Sequence, residues 1–517
     1  MRRIPRKLSI FLVLTLSLAL ILTGCSGSGK TLGATKSNSP ESSNGTGSTS
    51  TNEFSTSGLK PYNIDWYYDG EGPLPDEEKI EEALNDYFKD KLNITVDLHP
   101  YDWGTYDERM QALIATGEKM DLVFTCTWAF DYIYNASKGA FVDITDMLED
   151  NAPHIKQVLD GVFLEGSKIN GRNYGIPCNK EKGMAPGIMY FQKYVDKYNI
   201  DINSVNALED LEPIMEMLKQ NEPEIIGIVV DTGPSHLPLD YLIGREVPIV
   251  LDVDGEKEFI NLTNHESYVK MLHTMEKYYK KGYVKPDAAT AQDTESDYQT
   301  GNVFCGVRGF SPGQDIDYSL LYGSTVKMKK LKGSAISRNE DIMGSMMAIA
   351  ATSENPERVL QFYDYFYHDP YVINLMDFGI EGEHYVKNPD GTIKFAEGTD
   401  DGANSGWNPG TPWMIGDQTL SYLFEGDSPT RWEDLKAFNE QCKLSPSCGF
   451  VFDAEPVRNE IAAIKNVYKA FAWGLETGTL ETDKNLPLYK EKLEAAGINT
   501  IVEEGNRQYK EWLEKSK

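Results

Sequence analysis

Positive charge is in short supply in this chain. Its 517 residues hold 50 Lys and Arg against 80 Asp and Glu, a formal charge of −30. So acidic a surface repels phosphate backbones, which excludes nucleic-acid binding as its main business. Histidine is scarce too, at seven, and the six cysteines form no C-x-x-C pair. A zinc framework is therefore not expected, and neither a metal nor a cofactor is called for. A bilayer span needs ~20 consecutive apolar residues, and the most apolar stretch, Phe11 to Leu22, covers 12 and is interrupted by Thr15 and Ser17. What is present is ordinary globular composition, 40% hydrophobic and 25% charged, with 29 Tyr and 8 Trp. At about 150 residues per domain the length suggests about three units, or two large lobes.

The N-terminus reads as an address. Arg2, Arg3, Arg6 and Lys7 precede the apolar stretch, the pattern of a signal peptide over residues 1–24. It ends in Leu22-Thr23-Gly24-Cys25, which resembles the bacterial lipobox. That resemblance implies cleavage before Cys25, a lipid on its sulfur and a place on the outer face of the cell membrane, in a Gram-positive bacterium. Cleavage leaves 46 cations against 80 acids, a charge of −34. Residues 26–60 contain 26 Ser, Thr, Gly, Asn or Pro and read as a tether spanning about 33 Å as a coil. Gly24 to Thr31 matches the phosphate-loop pattern G-x4-G-K-[ST]. No strand precedes it and no helix follows, so a nucleotide site is not expected.

The folded part opens in α/β fashion. Tyr62 to Tyr68 is a strand by its aromatic content, and Asp76 to Leu92 a helix by the 3.6-residue spacing of Ile80, Leu84 and Phe88. Ile94, Val96 and Leu98 alternate as a strand, Thr105 to Thr116 is a helix closed by Gly117, and Asp121 to Thr125 is a third strand. This β-α-β-α-β order implies a parallel, doubly wound sheet whose ligands sit beyond the carboxyl ends of the strands. Trp66, Tyr67 and Asp69 fall at the first such end, Asp102 and Trp103 at the second, Trp128 at the third. Flat aromatic faces beside acidic acceptors suit sugar rings, with their apolar C–H faces and hydroxyl donors. Trp407 and Trp413, in a Gly/Pro-rich loop, are expected to add further platforms.

Further along, Gly171-Arg172-Asn173-Tyr174-Gly175-Ile176-Pro177, the Tyr190 strand, Tyr298-Gln299-Thr300-Gly301-Asn302-Val303-Phe304 and Ala348 to Glu357 follow in order. With Phe378 to Tyr385 and Asn506 to Trp512, they resemble the extracellular solute-binding proteins, family 1, of sugar ABC importers, in the lipoprotein branch called LplA-like. The resemblance implies a class II periplasmic-binding-protein-like fold of two doubly wound, hinge-linked lobes. One would comprise residues 60–177 and 346–425, the other 178–345 and 426–517, with crossings near Pro177 to Ala185 and Met343 to Ile349. It places Glu181, just past the first crossing, and Arg308 in the cleft. It implies a monomer that captures an oligosaccharide and hands it to ABC permease subunits.

Catalytic patterns are weaker. Gly309-Phe310-Ser311-Pro312-Gly313 matches G-x-S-x-G, but Pro312 has no N–H for an oxyanion hole. His265-Glu266 starts H-E-x-x-H, yet Val269 holds the second ligand position. Asp252-Val253-Asp254-Gly255 resembles part of a calcium loop, but Val250 stands at its first position. The chain is thus not expected to be an enzyme. A surface-anchored glycoside hydrolase is the alternative, since 80 acids leave room for a carboxylate pair. Cys442 and Cys448 flank a short Ser-Pro-Ser segment and could close a small disulfide.

Overall fold

The structure, a computed structural model, describes residues 58–515 apart from 160, 231–232, 256, 292–293 and 400–403. The signal peptide, Cys25 and most of the tether lie outside the described residues.

Strand β1 (Tyr62–Gly70), helix α1 (Glu77–Leu92), strand β2 (Ile94–Asp102), helix α2 (Tyr106–Thr116) and strand β3 (Leu122–Thr125) succeed one another as the periodicity predicts. Helix α1 buries Ile80, Leu84, Phe88 and Leu92, one face at helical spacing, and carries Glu77 and Glu78 at its dipole-positive end. Gly117 closes α2 at φ 68°, a left-handed turn that costs glycine nothing. The three strands are parallel, with β1 between β2 and β3. Two antiparallel strands, Met346–Ile349 and β4 (Ile176–Pro177), complete the five-stranded sheet. Asn170 and Gly171, at φ 52° and 80°, make the tight turn that the Asn-Gly pair announces.

A second sheet carries β5 (Ala185–Phe191) at its centre. It pairs antiparallel with Val303–Phe310 on one side and with Val326–Lys330 on the other, and β6 (Ile226–Val229) lies parallel to Val303–Phe310. Each sheet owns a core. One contains buried residues from Ile64 to Ile176 and from Ile342 to Ile415. The other runs from Ile188 to Ile336 and resumes from Phe450 to Tyr509 in three C-terminal helices. These are the two lobes of the fold. The chain passes from the first sheet to the second between β4 and β5, returns between Ile336–Ser337 and Met346–Ile349, and passes to the second lobe once more between Ile415 and helix Arg431–Gln441.

The crossings are tied to each other and to the second lobe's helix Arg431–Gln441. Met184 and Ile336 exchange backbone hydrogen bonds. The Asn439 amide donates to the Lys180 carbonyl and accepts from the Lys182 N–H, at 2.9 and 3.0 Å. A Cβ on Gly183 would meet the Ile336 carbonyl oxygen at 2.4 Å, so only glycine lets these strands run so close. Asp252 to Gly255 forms the polar turn of an antiparallel hairpin.

Candidate functional site

Beyond the carboxyl ends of β2 and β3 three tryptophans meet. Trp103 follows β2, Trp128 follows β3, and Trp413 arrives from the long loop of the same lobe. Ring centroids lie 6.1 Å apart for Trp103–Trp128, 6.3 Å for Trp103–Trp413 and 6.1 Å for Trp128–Trp413, the middle pair nearly parallel. Trp103 is 42% and Trp128 52% exposed. A half-bared indole leaves about 100 Å² of apolar surface in water, a cost of about 2.5 kcal/mol per ring at ~25 cal/mol/Å². Fixed polar contacts hold these rings bare. The Trp103 Nε1 donates to Glu71 Oε1 at 3.1 Å, and the Trp128 Nε1 to the Gly344 carbonyl at 2.8 Å. Thr127 N–H donates to the Met343 carbonyl. The triad is therefore wired to the return crossing, where the two lobes meet.

Carboxylates border it. Asp102 accepts from the Thr105 hydroxyl and the Gly104 N–H, and the Thr105 bond holds its carboxyl below the usual range. Asp69 is buried behind the rim. Burial pushes its carboxyl up to about 7, against the Gly70 N–H bond that favours the anion. Glu181 lies in the first crossing and pairs with Lys180 at 2.6 Å, both side chains largely covered.

The second lobe offers a different wall. Arg308, near the end of its strand, sits between the Tyr298 and Tyr318 rings, 5.3 and 5.4 Å from the centroids. Tyr318 belongs to helix Gln314–Tyr322, which also presents Asp317. Arg431 binds Asp317 with both Nη2 contacts, 3.0 and 2.7 Å, and Asp427 at 2.7 Å. Asp317 keeps 42% of its side-chain surface open. The surrounding protein nevertheless pushes its carboxyl up, even against the Arg431 charge, and Glu181 is within electrostatic reach.

Trp66, Tyr67 and Trp407 are placed otherwise than expected. Strand β1 runs on to Gly70, so Trp66 pairs with Leu98 and Leu122 in mid-sheet. Its ring is wholly buried, edge-on to Phe362, Tyr363 and Phe366. Tyr67 points to the opposite face and stacks on His99 at 4.4 Å, also buried. Trp407 is buried under its own lobe, its Nε1 donating to the Met376 carbonyl at 2.8 Å. Its loop hides that ring by close approach at Gly406, where a Cβ would collide with Asp76. Cys442 and Cys448 are both free thiols: Cys442 donates to the Phe438 carbonyl of its helix, and Cys448 lies beside Gly166. Glu71, Asp317 and Arg431 carried no sequence signal beyond their charge. The strand-end rule could have found Glu71 had β1 been read to its full length.

Two patterns of enzymes resolve as structure. Ser311 is buried in the turn between strand and helix, its N–H donating to Gln314 Oε1. His265 precedes helix Glu266–Lys280 and contacts Asp252 at 3.2 Å. The outer face of that helix bears an open depression of about 660 Å³ lined by Val269, Lys270 and His273, with no aromatic wall.

The sequence profile of the bacterial extracellular solute-binding proteins matches residues 82–378, and a domain of unknown function, DUF3502, matches residues 446–514. A carbohydrate ABC transporter substrate-binding protein of Streptococcus pneumoniae is 28% identical over 471 residues, 89% of this chain and 93% of that one. The polygalacturonan/rhamnogalacturonan-binding protein YtcQ of Bacillus subtilis is 22% identical over 78% of this chain and 83% of its own. Among solved structures, the N-glycan transport solute-binding protein NgtS of Streptococcus pneumoniae superposes with a TM-score of 0.81 at 25% identity, covering 89% of this chain and all of that one. NgtS in complex with Man5GlcNAc matches at 0.72 and 26% identity over the same shares.

Proposed function

Because the chain belongs to the bacterial extracellular solute-binding proteins, we propose that it captures an oligosaccharide between its lobes and delivers it to an ABC import permease. The observation that carries this reading is the Trp103–Trp128–Trp413 platform at the crossing. The bared Trp103 and Trp128, with the half-buried Trp413 beside them, form a surface that a sugar's C–H face covers, and Glu71 and Asp102 accept from its hydroxyls. Asp317, Arg308, Arg431 and Glu181 supply polar contacts from the opposite wall and the hinge. The relatives described as binding N-glycans and other carbohydrates support the ligand class.

The protein acts without chemistry on its ligand. A sugar touching both walls binds the closed form better than the open one and shifts the population toward closure, the state a permease reads. It works as a monomer, held at the outer membrane face by a lipid on Cys25, with the Ser/Thr/Gly tether giving the lobes reach. The Cys25→Ser protein should leave the cell surface unacylated; wild-type protein without lipid by mass spectrometry would refute the anchor.

Calorimetry against a panel of mannosyl-GlcNAc glycans and galacturonides tests the ligand class. Saturable binding of one class, with no cleavage product on prolonged incubation, is the expected result. Release of shorter sugars would favour a hydrolase, and no binding by any glycan would remove the reading.

A further inference from the structure

Four non-glycine residues among those described take a positive φ. Three are asparagines, Asn93, Asn170 and Asn199, whose short polar side chain tolerates the left-handed region. The fourth is Phe130 at φ 44°, where a bulky side chain is an outlier and the backbone is strained. Phe130 lies just past Trp128, in the loop that joins β3 to helix Tyr132–Ser137.

The loop is built to hold that residue. Its ends are bridged, since the Tyr132 N–H donates to the Cys126 carbonyl at 2.9 Å. The Cys126 N–H donates to the Ala129 carbonyl at 3.0 Å, and the Thr125 hydroxyl to the Phe130 carbonyl at 2.6 Å. The Phe130 ring is buried, edge-on to Tyr106 and Phe141, with centroids 6.2 and 5.7 Å away. Its N–H donates to Asp107 Oδ1 at 2.6 Å, on a different element. Trp128 stands between the bonded Cys126 and Ala129, bared at the outside of the loop.

Asp107 belongs to the first turn of α2, which follows directly on the Asp102–Thr105 turn that carries Trp103. One carboxylate therefore joins the loop of one bared indole to the loop of the other. A strained backbone persists only where its surroundings over-determine it. Here the Phe130 carbonyl is held by Thr125 and the ring by its aromatic neighbours. Among the described residues, the N–H is held by Asp107 alone. A charged acceptor makes the stronger kind of hydrogen bond. Without it the N–H of a buried residue has no partner, and Phe130 lowers its free energy by leaving the left-handed region.

We propose that Asp107 is a positioning residue of the tryptophan platform: its carboxylate pins the left-handed Phe130 backbone and so fixes the Trp128 ring where a sugar stacks. The inference rests on the reading of the three indoles as the sugar-binding surface. Asp107 acts through Phe130 and does not touch the ligand. A ring fixed beforehand need not be ordered on binding, so what Asp107 adds is preorganisation rather than contact.

Near-ultraviolet circular dichroism of the full chain without ligand tests this. The contribution of the Trp128 ring is the difference between each protein and its Trp128→Phe counterpart. In Asp107→Ala it should shrink by at least about half, because a mobile ring loses its fixed asymmetric surroundings. Asp107→Asn keeps an acceptor oxygen and should restore most of it. Asp107 is exposed, so neither substitution disturbs a core, and far-ultraviolet spectra and urea midpoints show that both variants fold. In calorimetry with mannosyl-GlcNAc glycans the affinity of Asp107→Ala should fall by about three- to tenfold, and Asp107→Asn should recover it. An unchanged Trp128 signal in folded Asp107→Ala overturns the proposal whether or not affinity falls, since a fall alone would make Asp107 a direct ligand contact. Failure of the platform reading looks different: Trp128→Ala would bind the glycans as wild type does, while the Trp128 signal would still respond to Asp107.

Discussion

Trp66 lies within β1 and Trp103 just past the end of the neighbouring β2, and their loss should be felt in different measurements. Trp103 is half-exposed and held by Glu71, so on the proposed function Trp103→Ala removes stacking worth ~0.5–1.5 kcal/mol beyond area. Glycan affinity should fall by about tenfold in calorimetry, with the urea midpoint unchanged. Trp66→Ala instead empties the packed space against Phe362 and Phe366 and should cost about 3–5 kcal/mol of stability. Equal affinity for wild type and Trp103→Ala would remove the platform from the site. A second residue sets a pH dependence. Asp377 is buried, and desolvation pushes its carboxyl up to about 7, although the Ser421 hydroxyl donates to it. Between an unfolded value near ~4 and about 7 the native state holds a proton that the unfolded chain has released, so stability falls as pH rises through this window. The loss is on the order of 4 kcal/mol at ~1.4 kcal/mol per unit. Asp69, Glu77 and Glu340 are raised for the same reason and add to the slope. Asp377→Asn should flatten the stability–pH curve across that window in urea titrations; an unaltered slope would show that the group ionises freely.

Among the elements, the first two crossings do the most with the fewest residues. Seven residues separate β4 from β5, and the Asn439 side chain grips two of them from helix Arg431–Gln441. Buried hydrogen bonds of this kind contribute ~0.5–1.5 kcal/mol each. Asn439→Ala should lower stability by about 1–3 kcal/mol and weaken glycan binding, because the Lys180–Glu181 pair loses its fixed position. Urea titration read beside calorimetry checks this, and loss of stability with full affinity would show that the crossing is positioned by its strands alone. The helices either side of the site were legible because their apolar spacing is local: α1 and α2 begin within one residue of their predicted starts. Leu208, Leu211, Met215 and Leu218 are spaced as on one helix, yet a 3-10 turn at Leu208–Leu211 leads into a separate helix Glu212–Asn221. Pro213 explains the break, since it suits a helix start and not an interior.

For the whole molecule the proposed function requires motion. On that function one lobe rotates on the other, and the short crossings between the cores mean that only a few backbone angles need change. Small-angle scattering of the glycan-saturated protein should give a smaller radius of gyration than the ligand-free protein. An identical value at saturation proven by calorimetry would mean a rigid cleft. With 80 acids to 50 cations the net field opposes anionic ligands, so the neutral glycans of the panel should bind ahead of the galacturonides in calorimetry.

Local pattern by itself determined the α/β order and pointed to Trp103 and Trp128, although it stopped β1 two residues short of Gly70. Period and turn chemistry act over a few residues and need no partner. Which tryptophans stay bare was decided only in the folded state. Trp66 is covered by Phe362 and Phe366, about 300 positions away, and Trp413 reaches Trp103 from a similar distance. The same holds for Asp317 with Arg431 and for His154 with Asp364. Exposure and pairing are properties of what packs against a residue, and in a chain that crosses between lobes the neighbours come from far along the sequence.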